Sequence, residues 1–163
     1  MKFIYIGKIV NTHGIKGEVR LLSKFKYKDR VFVKDMPIYI GKNKDREVIN
    51  SYRPHKQFDM ITMNGYSNIN EILKYKGEAV YINKEDLKLD EDEYLDEDLI
   101  NLDVIIDNEV VGKVKRVEIY PKQSFIVVKT EKKDCLIPYV SDIIEEIDFK
   151  EGFIRIKNIK GLI

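Results

Sequence analysis

The chain has 163 residues, with 29 lysines and arginines against 28 aspartates and glutamates, one cysteine and no tryptophan. A chain of this length holds one domain or two small ones and buries roughly 70% of its unfolded surface, so its core needs no disulfide or metal staple. The single cysteine excludes an internal disulfide framework and a multi-cysteine zinc site, and no apolar run reaches the ~20 residues of a membrane-spanning helix. The net charge of +1 conceals an asymmetry. Residues 1–84 carry 17 basic and 8 acidic side chains, whereas residues 85–163 carry 12 and 20, so the halves stand near +9 and −8. Such a split points to contact with a polyanion or to a polar tail. The N-terminus alternates polar and apolar residues and meets charge at Lys2 and Lys8, which is not the pattern of a signal peptide, and a cytoplasmic location is expected.

In chain order, β signals come first. Residues 3–10, 18–22, 37–40, 47–52, 59–63 and 78–82 are short, rich in Ile, Val and Tyr, and separated by Gly, Asn, Asp or Pro. In residues 3–10 both alternating sets are largely apolar, which predicts a strand covered on both faces. One helix is predicted after Asn68, an N-cap with Glu71 three residues on, an apolar stripe at Ile69, Ile72 and Leu73, and Gly77 as its stop. Six strands and one helix predict a small β-barrel over residues 1–84. Residues 85–98 follow, nine of the fourteen acidic, and read as an exposed linker ordered at most around Leu87, Leu89, Tyr94 and Leu95.

Residues 99–163 form a second β unit. Strands at 104–106 and 110–119 flank the turn Asp107-Asn108-Glu109, and a change of apolar parity between Val114 and Val117 predicts a bulge at Lys115-Arg116. Further strands are predicted at 125–128 and 153–156, a buried structural thiol at Cys135, and a short helix capped by Ser141 through Ile143, Ile144 and Ile147. The fold class is mainly β: two small barrels joined by an acidic linker.

The strongest local feature for chemistry is residues 11–20, which join the first two strands. Gly14 and Gly17 permit positive φ and close approach, and His13, Lys16 and Arg20 supply cationic or hydrogen-bonding groups around the turn. Two readings stand open, a phosphate cradle and a plain strand connection, because Gly-x-x-Gly alone is not specific. The basic set continues through Lys8, Lys24, Lys26 and Lys28. With Phe25 and Tyr27 interleaved, an extended chain would put three lysines on one side, an arrangement suited to RNA phosphates. Neither His13 nor His55 has neighbours at metal-ligand spacing, and the acidic run lacks a calcium-loop pattern, so neither a metal nor a cofactor is expected. Tyr94 and Leu95, kept among nine carboxylates, either tuck into the second unit or anchor a basic protein.

The stretch from Gly7 through Ile9, His13, Gly14, Gly17, Glu18 and Val19 to Arg20 resembles the N-terminal signature of the ribosome maturation factor RimM family. Glu93-Tyr94-Leu95 before Asp98-Leu99-Ile100 resembles that family's entry into its second domain. Val111-Gly112-Lys113-Val114 resembles its barrel hairpin, residues 136–140 with Ile147-Asp148 its closing segment, and Gly161-Leu162 its customary end. The resemblance implies an N-terminal barrel followed by a PRC-type barrel. It also implies a non-enzymatic assembly factor that binds ribosomal protein S19 and helps mature the head of the 30S subunit and its 16S rRNA, with no small-molecule substrate and no membrane. In the family a Tyr-Tyr pair supports S19 binding. Tyr94 matches its first member, Leu95 replaces its second, and Asn101 stands where glycine is usual. The alternatives are an RNA-modifying or processing enzyme using His13 and Glu18 as acid and base, and a general PRC-barrel interaction module.

Overall fold

A computed structural model describes residues 1–161, and Leu162, the last residue of the family-like ending, lies outside the described residues. The chain divides into two compact units, Met1–Asp90 and Glu91–Ile163. The division falls inside the acidic run rather than at either end of it. Leu87 and Leu95 are buried on either side of it, and one-turn helices at Lys84–Asp86 and Asp96–Leu99 flank it.

Unit 1 is a closed barrel of six strands: β1 Phe3–His13, β2 Glu18–Leu22, β3 Pro37–Ile40, β4 Asp45–His55, β5 Phe58–Met63 and β6 Ala79–Asn83. Around the ring the order is β1-β2-β5-β4-β3-β6, and every pairing is antiparallel. Ile4, Ile6, Ile9, Val19, Leu21, Ile38, Ile40, Ile49, Ile61, Val80 and Ile82 are all buried. The helix after Asn68 forms where the sequence places it, as α2, Ile69–Ile72. The Asn68 side chain accepts from the Glu71 backbone N–H, and the Glu71 carboxylate accepts from the Asn68 N–H in return. Gly77, at φ +86°, ends the segment.

Two expectations for this unit fail for identifiable reasons. First, β1 is not covered on both faces. Ile6 and Gly7 together oppose Val80, and this bulge brings Ile9 onto the same side as Ile4 and Ile6; Phe3, Tyr5 and Lys8 occupy the outer face. Second, residues 24–28 are not an extended lysine stripe. The chain turns at Lys26 and Tyr27 into a single helical turn, α1, Lys28–Val31. There the Lys28 Nζ stands 2.8 Å from Asp59 Oδ2, while the Tyr52 hydroxyl donates to Oδ1 at 2.7 Å. Asp59 is only 4% exposed, and a carboxylate so placed requires its cation.

Unit 2 is a six-stranded sheet of β7 Asp103–Ile106, β8 Glu109–Glu118, β9 Phe125–Lys129, β10 Asp134–Pro138, β11 Ile144–Asp148 and β12 Phe153–Ile156, in the order β10-β9-β8-β7-β12-β11. Its core is formed by Leu99, Leu102, Val104, Val114, Ile126, Val128, Ile137, Ile154 and Ile156. Asp107 and Asn108 both adopt positive φ between paired Ile106 and Glu109, the two-residue turn that suits a twisted hairpin. The predicted bulge is present, with register shifting between Val114 and Arg116. The predicted helix after Ser141 is absent. Residues 141–143 make one turn, and Ile144 and Ile147 belong to β11, whose own register shift between Ile144 and Glu146 produces the three-residue apolar spacing that mimics a helix. Asn101, the departure from glycine, adopts φ +72°, a conformation asparagine tolerates better than most residues.

Gly112 in β8 leaves no room for a side chain, because a Cβ there would collide with the carbonyl oxygen of Lys129 on β9. Gly112→Ala is expected to destabilise unit 2 by about 1–3 kcal/mol, the usual range for forced overpacking. Urea unfolding followed at the amides of Val114 and Val128 should show this loss while the amides of Ile6 and Val80 in unit 1 keep their midpoint.

Candidate functional site

The turn between β1 and β2, residues 14–17, is held in place rather than merely connecting. Gly14 and Gly17 sit at φ +70° and +89°, Ile69 donates its N–H to the Ile15 carbonyl at 3.0 Å, and a Cβ on Gly17 would stand 3.5 Å from backbone atoms of Tyr66 and Asn68. The turn therefore rests on the start of α2. At its tip Ile15 is 77% exposed beside exposed Lys16, and an open depression of about 370 Å³ is lined by His13, Gly14, Ile15, Lys16, Glu18 and Thr62.

A second register shift in β1, between Ile9 and Asn11, makes Ile9 pair with Leu21, Asn11 with Arg20 and His13 with Glu18. His13, Glu18 and Arg20 thus alternate with buried Val19 and Leu21 and face outward at one end of the barrel. The adjoining β4-β5 hairpin brings Arg53, His55, Lys56 and Phe58 to the same end, with Arg20 and Arg53 both paired to Met60. The Arg20 guanidinium contacts His13 Nδ1 at 2.6 and 3.2 Å and lies 5.6 Å from the Phe58 ring centre. Arginine keeps its protons, so Nδ1 accepts and the His13 proton is assigned to Nε2. The His13 and His55 rings are 5.7 Å apart. Arg53 grips Glu18 with two hydrogen bonds of 2.7 and 2.9 Å, and this pairing holds the Glu18 carboxyl below its ordinary range despite partial burial. Desolvation, reinforced by the positive fields of Arg53, Lys56, His13 and Arg20, holds His55 below the ordinary imidazole value.

The structure thus brings His13, Gly14, Lys16, Gly17 and Arg20 together. Lys8 stands apart on the barrel wall, paired with Leu22 and Ala79. Lys24 is exposed, the Lys26 ammonium lies over the Tyr27 ring at 5.5 Å, and Lys28 serves Asp59, so these three do not form one surface with the turn. The residues that sequence reading omits are Arg53, His55 and Lys56. Their signal was a dense basic stretch around Pro54, but only the hairpin register shows that it joins residues 13–20. Two arginines, two lysines and two histidines against one carboxylate, itself engaged by Arg53, make a surface suited to anions and to the faces of bases. Among the described residues no group of three or more His, Cys, Asp or Glu is arranged to hold a metal ion.

In unit 2, Leu95 is 5% exposed, and its backbone N–H donates to Asp98 Oδ2. Its side chain is packed inside, so of the two readings open for this residue the structure takes the inward one. Tyr94 is half-buried against the core. Its ring lies 5.4 Å from that of Phe149, and its hydroxyl accepts from Tyr139, which also reaches Asp96 at 3.0 Å. Burial, then the Tyr94 hydrogen bond, raises the Tyr139 phenol above its ordinary value. Phe149, 43% exposed, presents the outward ring of this group.

Family comparison agrees with both units. Residues 4–87 match the RimM N-terminal domain and residues 96–162 the RimM PRC barrel domain. The chain is 36% identical to the ribosome maturation factor RimM of Exiguobacterium sp., over 100% of this chain and 98% of that protein. It is 38% identical to the one from Staphylococcus haemolyticus, with 98% of each covered. A RimM crystal structure from Pseudomonas aeruginosa is 21% identical, covers 97% of this chain and 98% of its own, and superposes with a TM-score of 0.48. With both units matched and this identity sustained along the full length, the chain belongs to the ribosome maturation factor RimM family.

Proposed function

We propose that the protein is a non-enzymatic, cytoplasmic assembly factor of the small ribosomal subunit, which binds ribosomal protein S19 through unit 2 and 16S rRNA through unit 1 while the 30S head matures. The observation that carries this reading is family membership along the whole chain, joined to the way charge divides between the units. Residues 1–90 hold 18 basic and 11 acidic side chains, and residues 91–163 hold 11 and 17, giving +7 and −6. A basic ribosomal protein suits the second and RNA phosphates the first.

The factor acts by differential binding. It stabilises one local arrangement of the head by its contacts and leaves when maturation remodels the site. A binding role also suits the engagement of the two side chains an enzyme would use. Glu18 is held by Arg53, and His13 Nδ1 is occupied by Arg20, so the pair is arranged as a braced surface. In a sedimentation assay with 30S particles, the protein is expected to travel with immature particles in preference to mature ones. Equal partition would overturn the assembly role.

For S19, the anchor is the aromatic group of Tyr94 and Phe149, whose rings meet at 5.4 Å, while Leu95 is buried and takes no part in the contact. Tyr94→Ala and Phe149→Ala are each expected to weaken S19 binding by about 1–3 kcal/mol in calorimetric titration, the range of an interface anchor. Unchanged titrations with folded variants would remove this patch from the contact. For rRNA, Lys16→Gln with Arg20→Gln is expected to lower the slope of affinity against salt by about 1–2 charges' worth, the response of lost phosphate contacts. An unaltered slope would place the RNA elsewhere.

A further inference from the structure

The outer wall of the barrel carries a feature that neither the turn at 14–17 nor the charge split accounts for. In the ladders, Tyr5 pairs with Tyr81, Tyr81 with Tyr39, and Tyr39 with Arg46, so one lateral row crosses β1, β6, β3 and β4. Residues in such a row share a face, and the neighbours of each ring along its strand, Ile4 and Ile6, Val80 and Ile82, Ile38 and Ile40, point to the core; on the outer side Tyr39 is itself covered, at 8% exposure, while Phe3 and Tyr81 are partly exposed. The tyrosines therefore face outward. Phe3 joins them, its ring 5.0 Å from Tyr39 and 6.5 Å from Tyr81, and Tyr5 meets Tyr81 edge to face at 5.9 Å. The Lys44 ammonium lies 4.2 Å from the Tyr81 ring centre and 5.7 Å from that of Phe3. Tyr5, at 55% exposure, is the open end of the row.

A barrel wall facing water needs polar residues, not a cluster in which the Phe3, Tyr5 and Tyr81 rings meet solvent over a buried Tyr39, so the row is placed for a partner. Edge-to-face packing fixes the rings, and the half-exposed Tyr5 ring keeps a face open for stacking. Lys44 and Arg46 supply cations at one side, and Lys8, paired with Ala79 two residues from Tyr81, supplies one on the same outer face at the other. No row position carries a carboxylate; Asp45, paired with Ile40, falls on the alternate parity. Rigid aromatics flanked by cations and free of acids complement unpaired bases with their phosphates.

We infer that the Phe3, Tyr5 and Tyr81 wall of unit 1, backed by the buried Tyr39 ring, is a stacking platform for unpaired bases of single-stranded RNA, with Lys44, Arg46 and Lys8 contacting the flanking phosphates. This rests on the rRNA-facing reading of unit 1 and adds to it a second surface and a strand preference. The test uses the full-length protein and a fluorescent single-stranded RNA of about 12 nucleotides, within the span such platforms bind, with a duplex of equal length as control. Tyr5→Ala is expected to weaken single-strand binding about ten-fold, the loss of roughly one stacked base, and duplex binding less than about two-fold. Tyr5→Phe should retain binding, and Lys44→Gln with Arg46→Gln should flatten its salt dependence. Single-strand affinity unchanged in folded Tyr5→Ala, or equally reduced for the duplex, overturns the platform, as does a loss confined to capture of a ribosomal protein. Sedimentation of the unaltered protein with immature 30S particles, measured alongside, reports separately on the assembly reading.

Discussion

The surface chemistry of unit 1 depends on where β1 breaks its alternation. A ring of six short strands closes only if the strands bend and coil, and one-residue insertions supply that bend. In β1 there are two, at Ile6-Gly7 against β6 and between Ile9 and Asn11 against β2. Each reverses which side chains point inward. The first separates Phe3 and Tyr5, which face out, from Ile9, which faces in; the second turns His13 outward beside Glu18. With unbroken alternation from Ile9, Asn11 and His13 would be directed at the core and Thr12 at solvent. The aromatic row and the cationic end are thus two consequences of one closure problem. Gly7 allows the tight passage of β1 at this point, since a Cβ there would stand 2.9 Å from the Leu22 carbonyl oxygen.

That dependence explains which parts of the molecule are legible in the sequence. Strand positions follow from short β-branched and aromatic runs between turn residues, and β2, β3 and β12 have the bounds that pattern predicts. The Asn68–Glu71 capping box and the turn after Ile106 are local chemistry and were likewise readable, although the turn is one residue tighter than the Asp107-Asn108-Glu109 the sequence suggests, since Glu109 already pairs with Ile106 in β8. What local pattern cannot give is the effect of a bulge on parity, where no apolar residue marks the break. At Val114 to Val117 the parity change is visible in the residues themselves. In β1 the run is apolar on both sets, so the same device is hidden and the strand looks doubly covered. At Ile144 to Ile147 a bulge imitates helical spacing.

The candidate site was legible in part for the same reason. Residues 13–20 are contiguous and announce themselves through their glycines and cations. Arg53, His55 and Lys56 lie more than thirty residues away, and only the β2-β5-β4 register brings them alongside. The lysine stripe at 24–28 failed in the opposite way: its spacing fits a strand, but buried Asp59 draws Lys28 into an ion pair, and the chain turns to deliver it. Long-range demands of a buried carboxylate override a local two-residue period.

Net charge therefore describes the units less well than the pairing of each charge does. Unit 1 stands at +7, yet Lys28 is committed to Asp59 and Arg53 to Glu18. These pairs differ in kind. The Lys28–Asp59 pair satisfies an almost fully buried carboxylate, so the Lys28 charge is largely neutralised by its partner. The Arg53–Glu18 pair lies at the surface, with Arg53 half exposed, and an anion approaching Arg20, Lys16 and Lys56 still meets net positive charge there. The aromatic wall differs again, because its cations, Lys44 and Arg46, flank rings rather than carboxylates. A polyanion with unpaired bases would find charge at the turn and ring faces on the wall, and the +7 divides between two surfaces of different chemistry.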